Sequence, residues 1–174
     1  MDYEFTLKYK LSSGESDPDQ LIERLGDSGC EDALIGIGTP GRIALAFTRG
    51  AASAKKAIGS AIADVKRAIP CADLIEVGPD FVGLTDVAKF AGVSRQNIRK
   101  LMLAHHTTFP SAIHEGSASI WHLALVMEWL RSRGGYPFEK ATFDVASTAM
   151  HINITLDAKL VPPQVHDELQ ALVA

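Results

Sequence analysis

The chain has 174 residues, of which 47% are hydrophobic, and a formal net charge of −4. That length allows one domain or two small ones, and that hydrophobic share is enough to bury a core, which excludes a disordered tail. No apolar run approaches the ~18 residues of a spanning helix, and the opening MDYEFTLKYK lacks the apolar stretch of a signal peptide. Cys30 and Cys71 have no metal-ligand spacing, so they read as reduced thiols of a cytoplasmic protein with no membrane partner.

Tyr3, Phe5, Leu7, Tyr9 and Leu11 alternate with Glu4, Thr6, Lys8 and Lys10, the pattern of a strand with one buried face. Asp17-Pro18 followed by Gln20 is a helix start, with Leu21, Ile22 and Leu25 as its apolar side and Gly26 at its end. Residues 33–38 and 42–48 are two short apolar runs around Thr39-Pro40-Gly41, a hairpin signal. Ser53 opens a second helix in which Ile58, Ile62, Val65 and Ile69 keep helical spacing until Pro70, and Asp73 to Val77 is a last short strand. The order strand, helix, strand, strand, helix, strand predicts a ferredoxin-like βαββαβ domain over residues 1–78. Gly36 to Gly41 spells G-x-G-x-x-G, but a strand follows where the dinucleotide fingerprint needs a helix, so it reads as a tight turn and no cofactor is expected.

Gly78-Pro79 and Gly83 bracket an expected linker. Beyond it, LTDVAKFAGVSRQNIRKL over residues 84–101 has the form of two short helices and a turn. Leu84 and Val87 begin an apolar face, Ala88 is small where two helices cross, Gly92 suits a positive φ, and Ser94 can cap the second helix. Ile98, Leu101 and Met102 recur at buried-stripe spacing, which completes a helix-turn-helix whose second helix would enter a DNA major groove. Its outward arc carries Gln96, Arg99 and Lys100, flanked by Arg95 and Asn97. Arg reads guanine, Gln and Asn read adenine, and Lys neutralises phosphate. The charge divides accordingly: residues 1–80 carry 9 Lys and Arg against 13 Asp and Glu, residues 81–133 carry 6 against 3, and residues 134–174 carry 2 against 5. The segment with the motif is the one basic segment.

After Phe109-Pro110, apolar pairs on either side of His114-Glu115-Gly116-Ser117 predict a glycine-tipped hairpin, and Leu123, Val126, Met127 and Leu130 predict a third helix. On these features residues 84–130 resemble the winged helix-turn-helix module of the excisionase, AlpA and MerR-like group, with Trp121, Val126, Trp129 and Leu130 at the places of its closing pattern. The resemblance implies a winged helix-turn-helix domain over residues 84–133 that binds double-stranded DNA, with the wing beside the backbone. The wing departs from the group in offering His114, Ser117 and Ser119 instead of Arg or Lys. A neutral wing implies weak binding by one copy, because each neutralised phosphate adds to affinity.

Residues 138–174 read as helical, broken at Pro162-Pro163. Phe143, Ala146 and Met150 form one stripe and Val145, Ala149, Ile152 and Leu156 another; Ile152, Ile154 and Leu156 would also suit a strand. A helix with two apolar sides after a DNA-binding unit is expected to be a dimer seam, with the N-terminal sheet edge as second candidate. The whole is thus an α+β chain: a ferredoxin-like domain, a winged helix-turn-helix and C-terminal helices.

Enzyme chemistry is not expected. The histidines lack ligand spacing, no catalytic motif is present, and Glu31 and Asp32 should raise the pKa of Cys30 rather than activate it. The sequence therefore predicts a transcriptional repressor acting as a homodimer, with Ser94, Arg95, Gln96, Asn97, Arg99, Lys100, His106, His114 and Ser117 on DNA and no metal. Two alternatives stand beside it: an excisionase-type architectural factor, and an antitoxin-like protein that silences a protein partner and autoregulates through DNA.

Overall fold

The computed structural model describes residues 1–13, 17–136 and 138–173. Its elements in chain order are β1 (Asp2–Lys10), α1 (Pro18–Asp27), β2 (Ala33–Gly36), β3 (Arg42–Gly50), α2 (Ala54–Ala68), β4 (Asp73–Gly78), β5 (Phe81–Val82), α3 (Leu84–Ala91), α4 (Arg95–Ala104), β6 (Trp121–His122), α5 (Leu123–Arg133), α6 (Lys140–Ala158) and α7 (Pro163–Val173). Among the described residues no helix is long and apolar enough to cross a membrane.

The first four strands form one antiparallel sheet in the order β2-β3-β1-β4. The period-two pattern of β1 is realised in full: Tyr3, Phe5, Leu7 and Tyr9 are buried, and Phe5 stacks on Phe47 of β3 at 5.2 Å between ring centroids. Asp17 caps α1 by accepting from the N–H groups of Asp19 and Gln20, and Ser53 caps α2 by accepting from that of Lys56. Leu21 and Leu25 of α1, and Ala57, Ile58, Ala61 and Val65 of α2, close the core over one face of the sheet. Arg49 of β3 is buried among acids: it donates from Nε to Asp32 at 2.7 Å and from Nη1 to Asp64 at 2.6 Å. The paired acids are what allow a guanidinium to sit there.

A second core lies under α3, α4 and α5, built from Val82, Val87, Ala88, Ile98, Trp121, Leu123, Val126, Met127 and Leu130. Here two expectations change. The expected linker contains β5, whose Phe81 and Val82 pair with His122 and Trp121 of β6. The expected wing hairpin is reduced to a single bridge between His114 and Ile120, because Trp121 and His122 are engaged by β5 instead.

The apolar stripes expected to form a dimer seam find partners within the chain. Helix α6 is one helix through Ile152, Ile154 and Leu156, and most of both stripes is occupied within the chain. Val145 and Ala149 are buried in the first core, with Ile152 packed against it, while Ala146 is buried in the second, with Phe143 and Met150 packed against it. Two apolar sides mean two cores, and α6 is the wedge between them.

The wedge is also fastened by polar contacts. Asn153 and Asp80 are each only 1% exposed. The Asn153 side chain accepts from the Val77 N–H and donates to the Val77 carbonyl, both at 2.8 Å, as a neighbouring strand would for edge strand β4. Its Nδ2 also donates to Asp80 Oδ2 at 2.8 Å, while His122 Nδ1 donates to Asp80 Oδ1 at 2.8 Å and the Leu123 N–H to the Asp80 carbonyl at 2.8 Å. One buried carboxylate thus ties the end of the first sheet to β6 and α6, and its lone pairs are met by fixed donors, as a buried acid requires.

Candidate nucleic-acid interface

The turn between α3 and α4 is built as the residue types dictate. The Gly83 N–H donates to the Asp86 carboxylate at 3.4 Å, which starts α3. Gly92 stands in the left-handed region at φ 66°, ψ 28°, and ends it. Ser94 Oγ accepts from the Asn97 N–H at 3.2 Å and starts α4. Ile98 is fully buried, and Leu101 and Met102 pack against the second core, which fixes the rotation of α4 about its axis. Arg95, Gln96, Asn97, Arg99 and Lys100 consequently face solvent.

These side chains fall into two groups. Arg95 and Arg99 line a cleft of about 420 Å³ with Thr85 of α3 and with Gly116, Ser117 and Ser119 of the loop before β6. Gln96, Asn97 and Lys100 do not line it, nor do His106 and His114. His106 is exposed beyond the end of α4, and the His114 ring lies beside Gly116, where an added Cβ would stand 2.7 Å from its Nε2. Among the described residues neither Arg95, Arg99 nor Lys100 makes an ion pair. Cations without an intramolecular counter-ion keep their full field for an external anion.

Behind this surface the support is aromatic. Phe109 packs edge-on against Trp121 at 6.1 Å and Trp129 at 5.0 Å, and the Trp121 indole donates to the Pro110 carbonyl at 3.1 Å. His105 follows α4 as its cap and is taken up internally: its Nε2 accepts from Arg133 at 2.8 Å, and its ring lies against Trp129. Arg133 is in turn stacked over Trp129, so this basic residue serves packing.

Thr85 and Ser119 were not among the expected contact residues. The signal for Thr85 is its position beside Leu84 at the first turn of α3, which lines the same cleft. Cys30 meets the expectation of a raised pKa, at about 11, but burial is the first cause, then Asp64; Asp32 contributes less. Among the described residues no group of three or more His, Cys, Asp or Glu could hold a metal ion.

Residues 80–134, roughly a third of the chain, match the family model described as prophage CP4-57 regulatory protein (AlpA). No curated protein and no solved structure matches the chain. The matched stretch begins at the buried Asp80 and ends at Gly134, so it takes in β5, α3, α4, β6 and α5.

Proposed function

We propose that this chain is a sequence-specific DNA-binding regulatory protein, a transcriptional repressor, and not an enzyme. The observation that carries the reading is α4: an exposed arc of Arg, Gln, Asn and Lys over a buried Ile98, inside the stretch similar to a prophage regulatory family. In this reading residues 84–133 are a winged helix-turn-helix domain and α4 enters the major groove, with Gln96 and Arg99 on base edges and Lys100 on phosphate. The cleft gives Arg95 a task of its own: with Thr85, Ser117 and Ser119 it holds the backbone phosphate that passes between helix and wing.

Residues 1–78 are, in the same reading, a ferredoxin-like domain, supported by the strand order β2-β3-β1-β4 with two helices on one face. Residues 138–174 form a third part that fastens the other two through α6. The neutral wing supports a homodimer, since two linked modules gain effective concentration without new contacts. With Val145, Ala146 and Ala149 of α6 buried within the chain, the free edge of β2 is the favoured seam.

Selection of binding sites from random duplexes tests the reading, followed by titration at fixed salt. Arg99→Ala should weaken the selected site by about 1–3 kcal/mol and relax one base position, whereas Lys100→Ala should weaken all duplexes alike and lower the salt slope by about one. An Arg99→Ala protein that binds the selected site as tightly as the parent refutes the assignment of α4. An inverted repeat whose half-sites lie about one turn apart fits the dimer, and light scattering that finds only monomer on DNA removes it.

A further inference from the structure

The helices α1 and α2 cover one face of the sheet, and the opposite face is open. We propose that this open face docks a cationic segment of another protein. Thr6 of β1, Ala46 of β3 and Gly78 of β4 have small side chains or none, so the middle of the face is sunken. Phe81 of β5 and Phe90 of α3, each 37% exposed, stand at its side and turn the depression into a groove of about 750 Å³. Large aromatic side chains left in water beside a cavity are the features that a partner covers.

The rim decides the chemistry of that partner. Asp2, Glu4, Glu76, Asp86 and Glu139 line the groove, and Lys8 is the one Lys or Arg among its lining residues. Lys8 already bridges to Glu76 at 2.8 Å and Lys89 to Asp86 at 3.6 Å, so Asp2, Glu4 and Glu139 are the carboxylates that present an uncompensated negative field. Such a field repels the phosphates that α4 would attract, which excludes nucleic acid as the occupant. It attracts lysine and arginine, and the apolar floor and aromatic wall accept the aliphatic or aromatic side chains between them. An apolar centre within a charged rim is the anatomy of a protein interface, whereas a small cation would leave the apolar part unused. The groove is bounded by the first sheet, by β5 and α3, and by Glu139, Ala141 and Thr142 at the start of α6. Its occupant therefore touches the DNA-binding stretch and the sheet at once. The inference does not rest on the reading of α4.

Random dodecapeptides displayed on phage, selected against the full chain, supply the probe, and selected peptides are then measured by calorimetry. The expected winners combine Lys or Arg with apolar residues. They lose about tenfold or more in affinity for Glu4→Lys/Glu139→Lys but stay within about twofold for Asp167→Lys/Glu168→Lys, which changes the net charge equally on α7. All four positions are exposed, and unchanged circular dichroism checks that the variants fold. The inference is overturned if no peptide is enriched, if winners are neutral or acidic, or if both variants weaken them alike. It is also overturned if light scattering shows that the parent self-associates and Glu4→Lys/Glu139→Lys abolishes this, because the occupant is then a second copy.

Discussion

Replacing Asn153 by Ala isolates the contribution of the buried polar joint. The substitution removes three hydrogen bonds of 2.8 Å and leaves the Val77 N–H, the Val77 carbonyl and one oxygen of Asp80 without these partners in a buried site. A buried donor or acceptor that loses its partner costs about 1–3 kcal/mol. The N–H carries the full penalty, the carbonyl less, and Asp80 retains His122, so the expected loss is about 3–5 kcal/mol. In a chain of this size that lowers the melting temperature by roughly 6–20 °C. Thr155→Ala is the comparison on the same helix: Thr155 is exposed and bonds only the His151 carbonyl one turn back, so its loss is about 0.5 kcal/mol or less. Urea titrations followed by far-ultraviolet circular dichroism give both values, with the slope checked for constancy. A loss below about 1 kcal/mol for Asn153→Ala would show that water or local movement restores the bonds, and the argument for a fastened joint fails.

Gly92→Ala should destabilise by about 1 kcal/mol through the backbone alone, since φ is +66° but nothing stands within 4 Å of an added Cβ; a cost above about 3 kcal/mol would mean a clash that the geometry lacks. The hydrogen bond from Arg49 holds the Asp32 carboxyl below the usual carboxylate range, against its partial burial. A depressed carboxylate contributes stability that is full above its unfolded value, about 3.9, and is lost as the pH falls through the folded value. Acid unfolding of Asp32→Asn should therefore be less pH-dependent than the parent below about pH 4, and equal slopes refute the pairing. Burial pushes the Cys30 thiol up to about 11 and encloses it, while Cys71 is exposed. An aromatic disulfide reagent at neutral pH should thus titrate one thiol quickly in the folded chain and two in urea; two fast thiols without urea contradict the burial of Cys30.

The sequence was most readable where one residue type answers one local requirement. Tyr3 to Tyr9 declared a half-buried strand by alternation, and Gly92 and Ser94 marked the end of one helix and the start of the next. The outward arc of α4 followed from Ile98 alone, because burying that side chain fixes the direction of the others. What stayed hidden depends on distant partners. A strand of two residues, Phe81–Val82, has no period to detect, and the competition it wins for Trp121 and His122 is decided by pairing across 39 positions. The stripes of α6 announced that two faces are buried but not against what, and a seam between copies has the same pattern as a wedge within one chain. One residue did carry the information. Asn153 falls in register with Val145 and Ala149 on a buried stripe, and an amide there requires polar partners inside the fold.

The wedge position of α6 has a consequence for synthesis on the ribosome. The strands and helices of residues 2–78 emerge first, yet the surface that takes Val145 and Ala149, and the outer backbone groups of Val77, stay uncovered until Asn153 is available. At about 5–20 residues per second that interval lasts roughly 4–15 s. During it the nascent chain presents an apolar patch beside an unpaired strand edge, the combination that invites misassociation and chaperone capture. Any shortened version that stops before α6 would keep that immature surface permanently, so a soluble fragment has to carry this helix or replace the face that it covers with polar residues.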